Sequence, residues 1–110
     1  MRELLLVLIS VHGLLHLLGF AKAFRLARLY QMPHPVSKVN GVFWLIAACF
    51  ILTTGFLFYF FVDGWWIVGL ASVIVSEYVI ITDWEDAGLG TTLNILILLM
   101  CIIACIISLA

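Results

Sequence analysis

Long apolar runs make up most of the chain, and short polar segments separate them. A bilayer core about 30 Å thick requires about 20 mostly apolar residues per spanning helix. Runs such as 95–100 lack the period-2 alternation of barrel strands, so the pattern favours α-helices. It predicts four transmembrane helices, at residues 4–22, 39–61, 65–82 and 89–110.

Turn-forming residues lie where the predicted helices end. Pro33 and Pro35 precede the second helix, Asp63-Gly64 precedes the third, and the segment 83–90 precedes the fourth. The spans leave no room for a separate soluble domain. We therefore expect one transmembrane domain over residues 1–110.

The composition excludes a soluble globular protein. Of the 110 residues, 66% are hydrophobic and 10% charged, whereas soluble domains are about half apolar and a quarter charged. A chain of this length cannot bury so much apolar surface. The net charge of −1 provides no basic surface for nucleic acid. The sequence predicts an all-α integral membrane protein, a four-helix bundle whose main partner is the lipid bilayer.

Basic residues predict the orientation. Apart from Arg2, they flank or occupy the first predicted loop, namely Lys22, Arg25, Arg28 and Lys38. The positive-inside rule then places this loop in the cytoplasm and both termini on the non-cytoplasmic side, with a bacterial inner membrane as the expected location. The acidic segment 83–86 falls on the cytoplasmic face, where we expect it to pair loosely with Arg25 and Arg28.

Two local alternatives stay open at this stage. The stretch from Ala23 to Tyr30 fits a short interfacial helix, and it fits a solvated loop equally well. Residues 21–23 resemble a small-x-small cleavage site, so the first span also fits a secretory signal. Two histidines in that span are unusual in a leader, which favours a permanent helix.

Ionisable side chains within the spans are the strongest functional signal, because they are costly in hydrocarbon. His16 and Glu77 lie five to six residues from the predicted cytoplasmic ends of their helices, roughly 8 Å deep at 1.5 Å per residue. Asn94 falls at the same level, His12 lies deeper, and Asn40 marks the start of the second span. We expect these groups to form a polar cluster in the cytoplasmic half.

Glu77 has two interpretations. Beside His16 it would exchange protons with the imidazole as one coupled unit, as a proton relay or a proton-coupled binding site requires. As a structural group it would hydrogen-bond to Tyr78, Asn94 or a backbone carbonyl and hold helices together.

Small and polar residues recur at helical spacing and predict close helix contacts. We expect a left-handed bundle with crossing angles near about +20°. The recurring positions are Gly41, Ala48 and Gly55 in the second span, Gly69, Ser72 and Ser76 in the third, and Gly90, Asn94, Cys101 and Ser108 in the fourth.

Cofactor chemistry has little support in the sequence. His12, His16 and Glu77 are weak metal-ligand candidates, and both histidines lie on one helix face, which disfavours a bis-histidine haem within one chain. The three cysteines lie in spans without a C-x-x-C motif. We expect no cofactor, and no motif indicates an enzyme.

The stretches from His12 to Lys22 and from Asp86 to Asn94, H-G-L-L-H-L-L-G-F-A-K and D-A-G-L-G-T-T-L-N, together with four short spans, resemble small bacterial membrane proteins of the broad DoxX-like kind. That resemblance implies a four-helix membrane fold and, through a few relatives, a subunit of a quinone-linked oxidoreductase. It transfers no catalytic residue.

Two functions follow as expectations. The first is a non-catalytic subunit or scaffold that packs against other membrane subunits or against itself as a homo-oligomer. The second is a proton- or cation-coupled binding or transport module that uses Glu77 and His16.

Overall fold

A computed structural model describes residues 2–26 and 34–110 of the chain. Within these residues, four helices are long and apolar enough to cross a membrane, in agreement with the four predicted spans. Their bounds differ from the predicted ones by two residues or fewer. The helices are α1 (Arg2–Ala23), α2 (Lys38–Tyr59), α3 (Trp65–Thr82), α4 (Trp84–Ala87) and α5 (Gly90–Leu109).

Two connections differ from the sequence prediction. The segment after α3, expected to be a turn, contains the one-turn helix α4, which is closed by a hydrogen bond from the Gly88 nitrogen to the Trp84 oxygen, 2.9 Å. The proposed interfacial helix is absent over residues 24–26. There the chain forms a turn, with Arg25 at φ 57° and a bond from the Leu26 nitrogen to the Ala21 oxygen. The remainder of that proposal, residues 27–30, lies outside the described residues.

The long helices pack mainly in chain order, α1 on α2, α2 on α3 and α3 on α5. By contrast, α1 and α5 touch only lightly, which leaves a seam between them. Glycines allow two of the closest approaches: the Trp44 ring lies against Gly19, and the Cys101 sulfur lies against Gly69, where a methyl group would not fit beside either. The small-residue positions are therefore contact points between helices, as in other membrane bundles.

Polar interactions fix both ends of α2. At its first turn, Ser37 accepts a hydrogen bond from the Asn40 backbone nitrogen, 3.1 Å, as an N-cap. At its last turn, the Arg2 guanidinium donates to the Phe58 and Tyr59 carbonyls. A positive charge stabilises the carbonyl end of a helix, so Arg2 joins the start of α1 to the end of α2.

Candidate functional site

A layer of buried polar side chains crosses the bundle. His12 and His16 come from α1, Ser76 from α3 and Asn94 from α5, and each is 2% exposed or less. Apolar residues surround them, so their polar atoms must find partners within the protein. The four side chains form a connected hydrogen-bond network.

Ser76 lies at the centre of this network. Its Oγ is 2.8 Å from His16 Nε2 and 3.0 Å from Asn94 Oδ1. Asn94 Oδ1 is in turn 2.8 Å from His12 Nε2. The two imidazole rings meet edge to face with centroids 4.6 Å apart. Three helices are thus joined by contacts to one hydroxyl and one amide.

Glu77 lies at the end of the network opposite His16. Its Oε2 accepts a hydrogen bond from Asn94 Nδ2, and its Oε1 accepts one from Thr91 Oγ1, both 2.8 Å long. A donor faces each carboxylate oxygen, which fits an ionised Glu77. Ser76 and Asn94 lie between Glu77 and His16, so a hydroxyl and an amide connect the two ionisable groups by hydrogen bonds.

Donor and acceptor chemistry places the hydrogen atoms. A carbonyl oxygen only accepts, so His16 Nδ1, 2.9 Å from the His12 carbonyl, carries a hydrogen. The amide oxygen of Asn94 also only accepts, so His12 Nε2 carries one too. Ser76 has one hydroxyl hydrogen for two neighbours. When it donates to Asn94, its contact with His16 is a hydrogen bond only if His16 Nε2 is also protonated.

The network borders an open cavity of about 300 Å³ at the seam between α1 and α5. His12 and His16 line its inner wall together with Trp44, while Asp86 lines the end next to α4. The remaining lining is almost entirely aliphatic. The polar network therefore lies directly behind an apolar recess.

A second group of polar contacts lies at the α4 end. The Trp44 indole nitrogen donates to Asp83 Oδ2, 3.0 Å, and so ties α2 to the end of α3. His34 contacts Asp86 through its backbone nitrogen, 3.1 Å, and through Nδ1, 2.8 Å, while its Nε2 lies 2.7 Å from Glu85. The bond to Asp86 raises the pKa of His34 above its ordinary value of 6.5 and lowers the pKa of Asp86. The described ion pairs of the acidic segment are with His34, whereas Arg28, one of its two expected partners, lies outside the described residues.

The residues proposed from the sequence fall into two groups. His12, His16, Glu77 and Asn94 meet in the network described above. Asn40 and Tyr78 lie elsewhere. Asn40 belongs to the first turn of α2, and Tyr78 is 47% exposed, with its ring against Phe43 at a centroid distance of 5.2 Å.

Sequence reasoning missed three participants. Ser76 appeared only as a small packing residue, and Thr91 and His34 had no assigned role. For Ser76 a signal was present: it precedes Glu77 and lies four residues from Ser72 on the same face of α3. A hydroxyl next to an intramembrane acid is a natural hydrogen-bond partner.

Metal binding has no assembled ligand set in the part of the chain that the structure describes. No group of three or more His, Cys, Asp or Glu side chains lies close enough to hold an ion there. His12, His16 and Glu77, the weak candidates, instead direct polar atoms at Asn94, Ser76 and Thr91.

Comparison of the chain with protein-family models, with curated proteins and with solved structures gave no match. The resemblance to DoxX-like proteins therefore stays a prediction.

Proposed function

We propose that the protein is a multi-pass membrane protein whose core network binds an exchangeable proton, and that it acts as a proton-coupled binding module. The observation that carries this proposal is the continuous chain of contacts from His16 through Ser76 and Asn94 to Glu77, with links of 2.8, 3.0 and 2.8 Å. These contacts connect the imidazole of His16, a base, to the carboxyl group of Glu77, an acid, without an apolar gap.

When one added proton is on His16, every group in this series of contacts has a hydrogen-bond partner. The imidazolium donates from Nδ1 to the His12 carbonyl and from Nε2 to Ser76, and Ser76 donates to Asn94. Asn94 then donates to the Glu77 carboxylate. The positive and negative ends compensate each other, so the buried network is neutral as a whole.

When the same proton is on Glu77 instead, the groups in this series again all have hydrogen-bond partners. The protonated acid donates to Asn94, whose amide has rotated by about half a turn, and the amide nitrogen then faces Ser76 and His12. Ser76 donates to neutral His16, and His12 adopts its other tautomer. Both arrangements hold the same number of protons, so the network can hold one added proton at either end while these contacts remain hydrogen bonds.

Energetics favour a proton-binding role over a purely structural one. Insertion scales assign about 2.5–3.5 kcal/mol to a charged side chain at the centre of a span. A hydrogen bond between membrane helices contributes only about 0.6 kcal/mol on average. When His16 is protonated and Glu77 is ionised, hydrogen bonds between helices do not by themselves offset this cost, which supports a role for these groups beyond packing.

The other expectation, a non-catalytic subunit of a membrane complex, stays a prediction. It differs in what it requires of the network. A scaffold needs intact hydrogen bonds at any one protonation state, whereas the proposed module needs His16 and Glu77 to exchange a proton.

Nitrogen-15 NMR of the histidine rings in lipid nanodiscs tests the proposal across a pH series. We expect the His16 ring nitrogens to report a protonated imidazole in part of this range, and we expect Glu77→Gln to change that pH response. The matched control is Glu85→Gln, the same substitution at an exposed residue beside His34, which should leave the His16 signals unchanged.

A neutral His16 at every pH, with no response to Glu77→Gln, would contradict proton binding. If Glu77→Gln also disrupted the purified oligomer or monomer, the structural interpretation would be favoured. Size-exclusion chromatography of the same samples supplies that second readout.

A further inference from the structure

The cavity of about 300 Å³ between α1 and α5, the seam cavity, has an almost entirely aliphatic wall. Its volume is near the lower bound of ligand pockets. Leu15 and Leu18 on its α1 rim are 49% and 37% exposed, and Leu89 on the opposite rim is 90% exposed. Because α1 is long and apolar enough to span a membrane, a guest can enter the cavity from the hydrocarbon phase.

Two polar side chains at the α4 end of the wall already have partners. His34 contacts both carboxylate oxygens of Asp86, one through its backbone nitrogen and one through Nδ1. The indole nitrogen of Trp44 donates to Asp83. These groups therefore leave no unpaired charge in the wall for a charged guest.

The two histidines of the wall differ in what their ring nitrogens contact. His16 uses both nitrogens, Nδ1 at the His12 carbonyl and Nε2 at Ser76. The contacts of His12 with Asn94 and Ser76 both involve its Nε2. Among the residues that the structure describes, none is a hydrogen-bond partner of His12 Nδ1.

The position of His12 places this unpartnered nitrogen beside the cavity. The residue is 2% exposed and lines the cavity wall. A methyl group on Gly90, another wall residue, would lie 3.6 Å from His12 Cε1. Cε1 is bonded to both ring nitrogens, and Nε2 is directed at Asn94. Nδ1 is therefore the ring nitrogen that a guest in the cavity can reach.

The proton network determines whether His12 Nδ1 accepts or donates a hydrogen bond. With Glu77 ionised, Asn94 Oδ1 faces His12 Nε2, which carries the ring hydrogen, so Nδ1 is an acceptor. With the proposed proton on Glu77, the amide of Asn94 has rotated and His12 Nε2 accepts, so Nδ1 carries the hydrogen. A buried donor requires an acceptor, and the aliphatic wall supplies none.

We propose that the seam cavity binds a long-chain ketone, whose carbonyl oxygen accepts a hydrogen bond from His12 Nδ1 and whose alkyl chain lies along the aliphatic wall. The proposal rests on the proposed function, because the donor forms when the added proton is on Glu77. Moving an alkyl chain from lipid into an apolar cavity gains little. The hydrocarbon phase offers no donor, so the hydrogen bond selects a ketone over a hydrocarbon.

Binding and protonation are linked through few ionisable groups. Among the described residues, those around His12 are His16 on the same helix, Glu77 across the network and Asp86 in the cavity wall. Asp86 is paired with His34, which leaves His16 and Glu77 as the ends between which the added proton is divided. Linkage is reciprocal, so a bound ketone favours the form with the proton on Glu77.

Carbon-13 NMR of methyl nonyl ketone labelled at its carbonyl carbon tests the proposal, with the protein in phosphatidylcholine nanodiscs and empty nanodiscs as background. We expect a second carbonyl signal, shifted downfield by the hydrogen bond, that saturates at one molecule per chain. Nitrogen-15 NMR of the same samples should show that His12 Nδ1 gains a hydrogen as the ketone binds.

The matched competitor is n-undecane, the hydrocarbon of the same length. It should need about a fivefold higher concentration than unlabelled ketone to displace the labelled probe, a factor that corresponds to about 1 kcal/mol for one hydrogen bond. His12→Phe keeps an aromatic ring and removes the donor, so it should weaken ketone binding by about the same factor.

A second pair of variants tests the cavity without changing the network. Leu93→Trp fills the cavity and should abolish the saturable carbonyl signal. Leu99→Trp is the matched control, because it places the same side chain at an exposed position of the same helix, and it should leave binding unchanged.

Four results would overturn the proposal: no saturable carbonyl signal, equal displacement by n-undecane, full binding by Leu93→Trp, or a bound ketone with His12 Nδ1 still lacking a hydrogen. The experiment also separates this proposal from the proposed function. A His16 response to pH and to Glu77→Gln without ketone binding would contradict the ketone site alone. Saturable ketone binding without that response would contradict proton exchange between His16 and Glu77.

Discussion

Asn94 Nδ2 lies 2.8 Å from Glu77 Oε2, while the other atom of the same amide contacts Ser76 and His12. One side chain of α5 thus supplies a donor to the acid and an acceptor to the hydroxyl and imidazole. This relationship makes Asn94 the residue whose loss leaves the most buried polar atoms without partners.

Asn94→Leu should destabilise the protein by about 1–3 kcal/mol, because Glu77, Ser76 and His12 each lose a buried partner. Thermal unfolding in detergent, followed by circular dichroism, measures the change. Thr92→Leu on the exposed face of α5 is the matched control and should change stability little. Equal stability of the two variants would contradict the network as a stabilising feature.

Gly19→Ala should also destabilise the bundle, by about 1–3 kcal/mol, because the added methyl group collides with the Trp44 ring. Alanine improves helix propensity by about 1 kcal/mol, so any net loss reports this collision. Gly55→Ala is the milder comparison, since its methyl group meets the Ile9 side chain, with Cγ2 at 3.0 Å and Cβ at 3.9 Å, and no aromatic ring. The contact between α1 and α2 would be wrongly placed if Gly19→Ala were the more stable variant.

Trp44→Phe removes the indole donor to Asp83 and should cost about 1.5–3 kcal/mol, the range for a hydrogen bond to a charged group. Trp84→Phe, at a position 55% exposed, is the control and should have little effect. A double-mutant cycle with Asp83→Asn isolates the pair, and additive effects would refute a direct coupling.

His34 provides a pH-dependent contact at the α4 end. Its hydrogen bond to Asp86 raises its pKa above 6.5, so the stabilisation is complete below pH 6.5 and is lost as the pH rises through the raised folded-state pKa. Proton NMR of the imidazole should detect this elevated pKa in the wild type. Asp86→Asn should return it towards 6.5, and an unchanged titration in that variant would exclude the contact in solution.

Hydropathy was sufficient to predict the four long helices, because the length of an apolar run is a one-dimensional property of the chain. Depth along each helix likewise placed His16, Glu77 and Asn94 at one level before any packing was known. The rotation of each helix about its own axis was harder to predict from the sequence. It directs Ser76 inwards and the neighbouring Tyr78 outwards, and it depends on contacts between helices that no single segment encodes.

The short connections were predicted less well for a related reason. The helix α4 has only one turn, and His34 contacts it across 52 positions of sequence. Local turn propensity carries no information on such a contact, because the partner belongs to another part of the fold.

The position of Asn94 in the last helix has a consequence for biosynthesis. Helices α1 and α3 emerge from the ribosome before α5, so His12, Ser76 and Glu77 lack their common amide partner until α5 is inserted. Completion of the hydrogen-bond network therefore depends on the insertion of α5. A wrongly inserted α5 would leave the Glu77 carboxylate and the His12 imidazole without this shared partner.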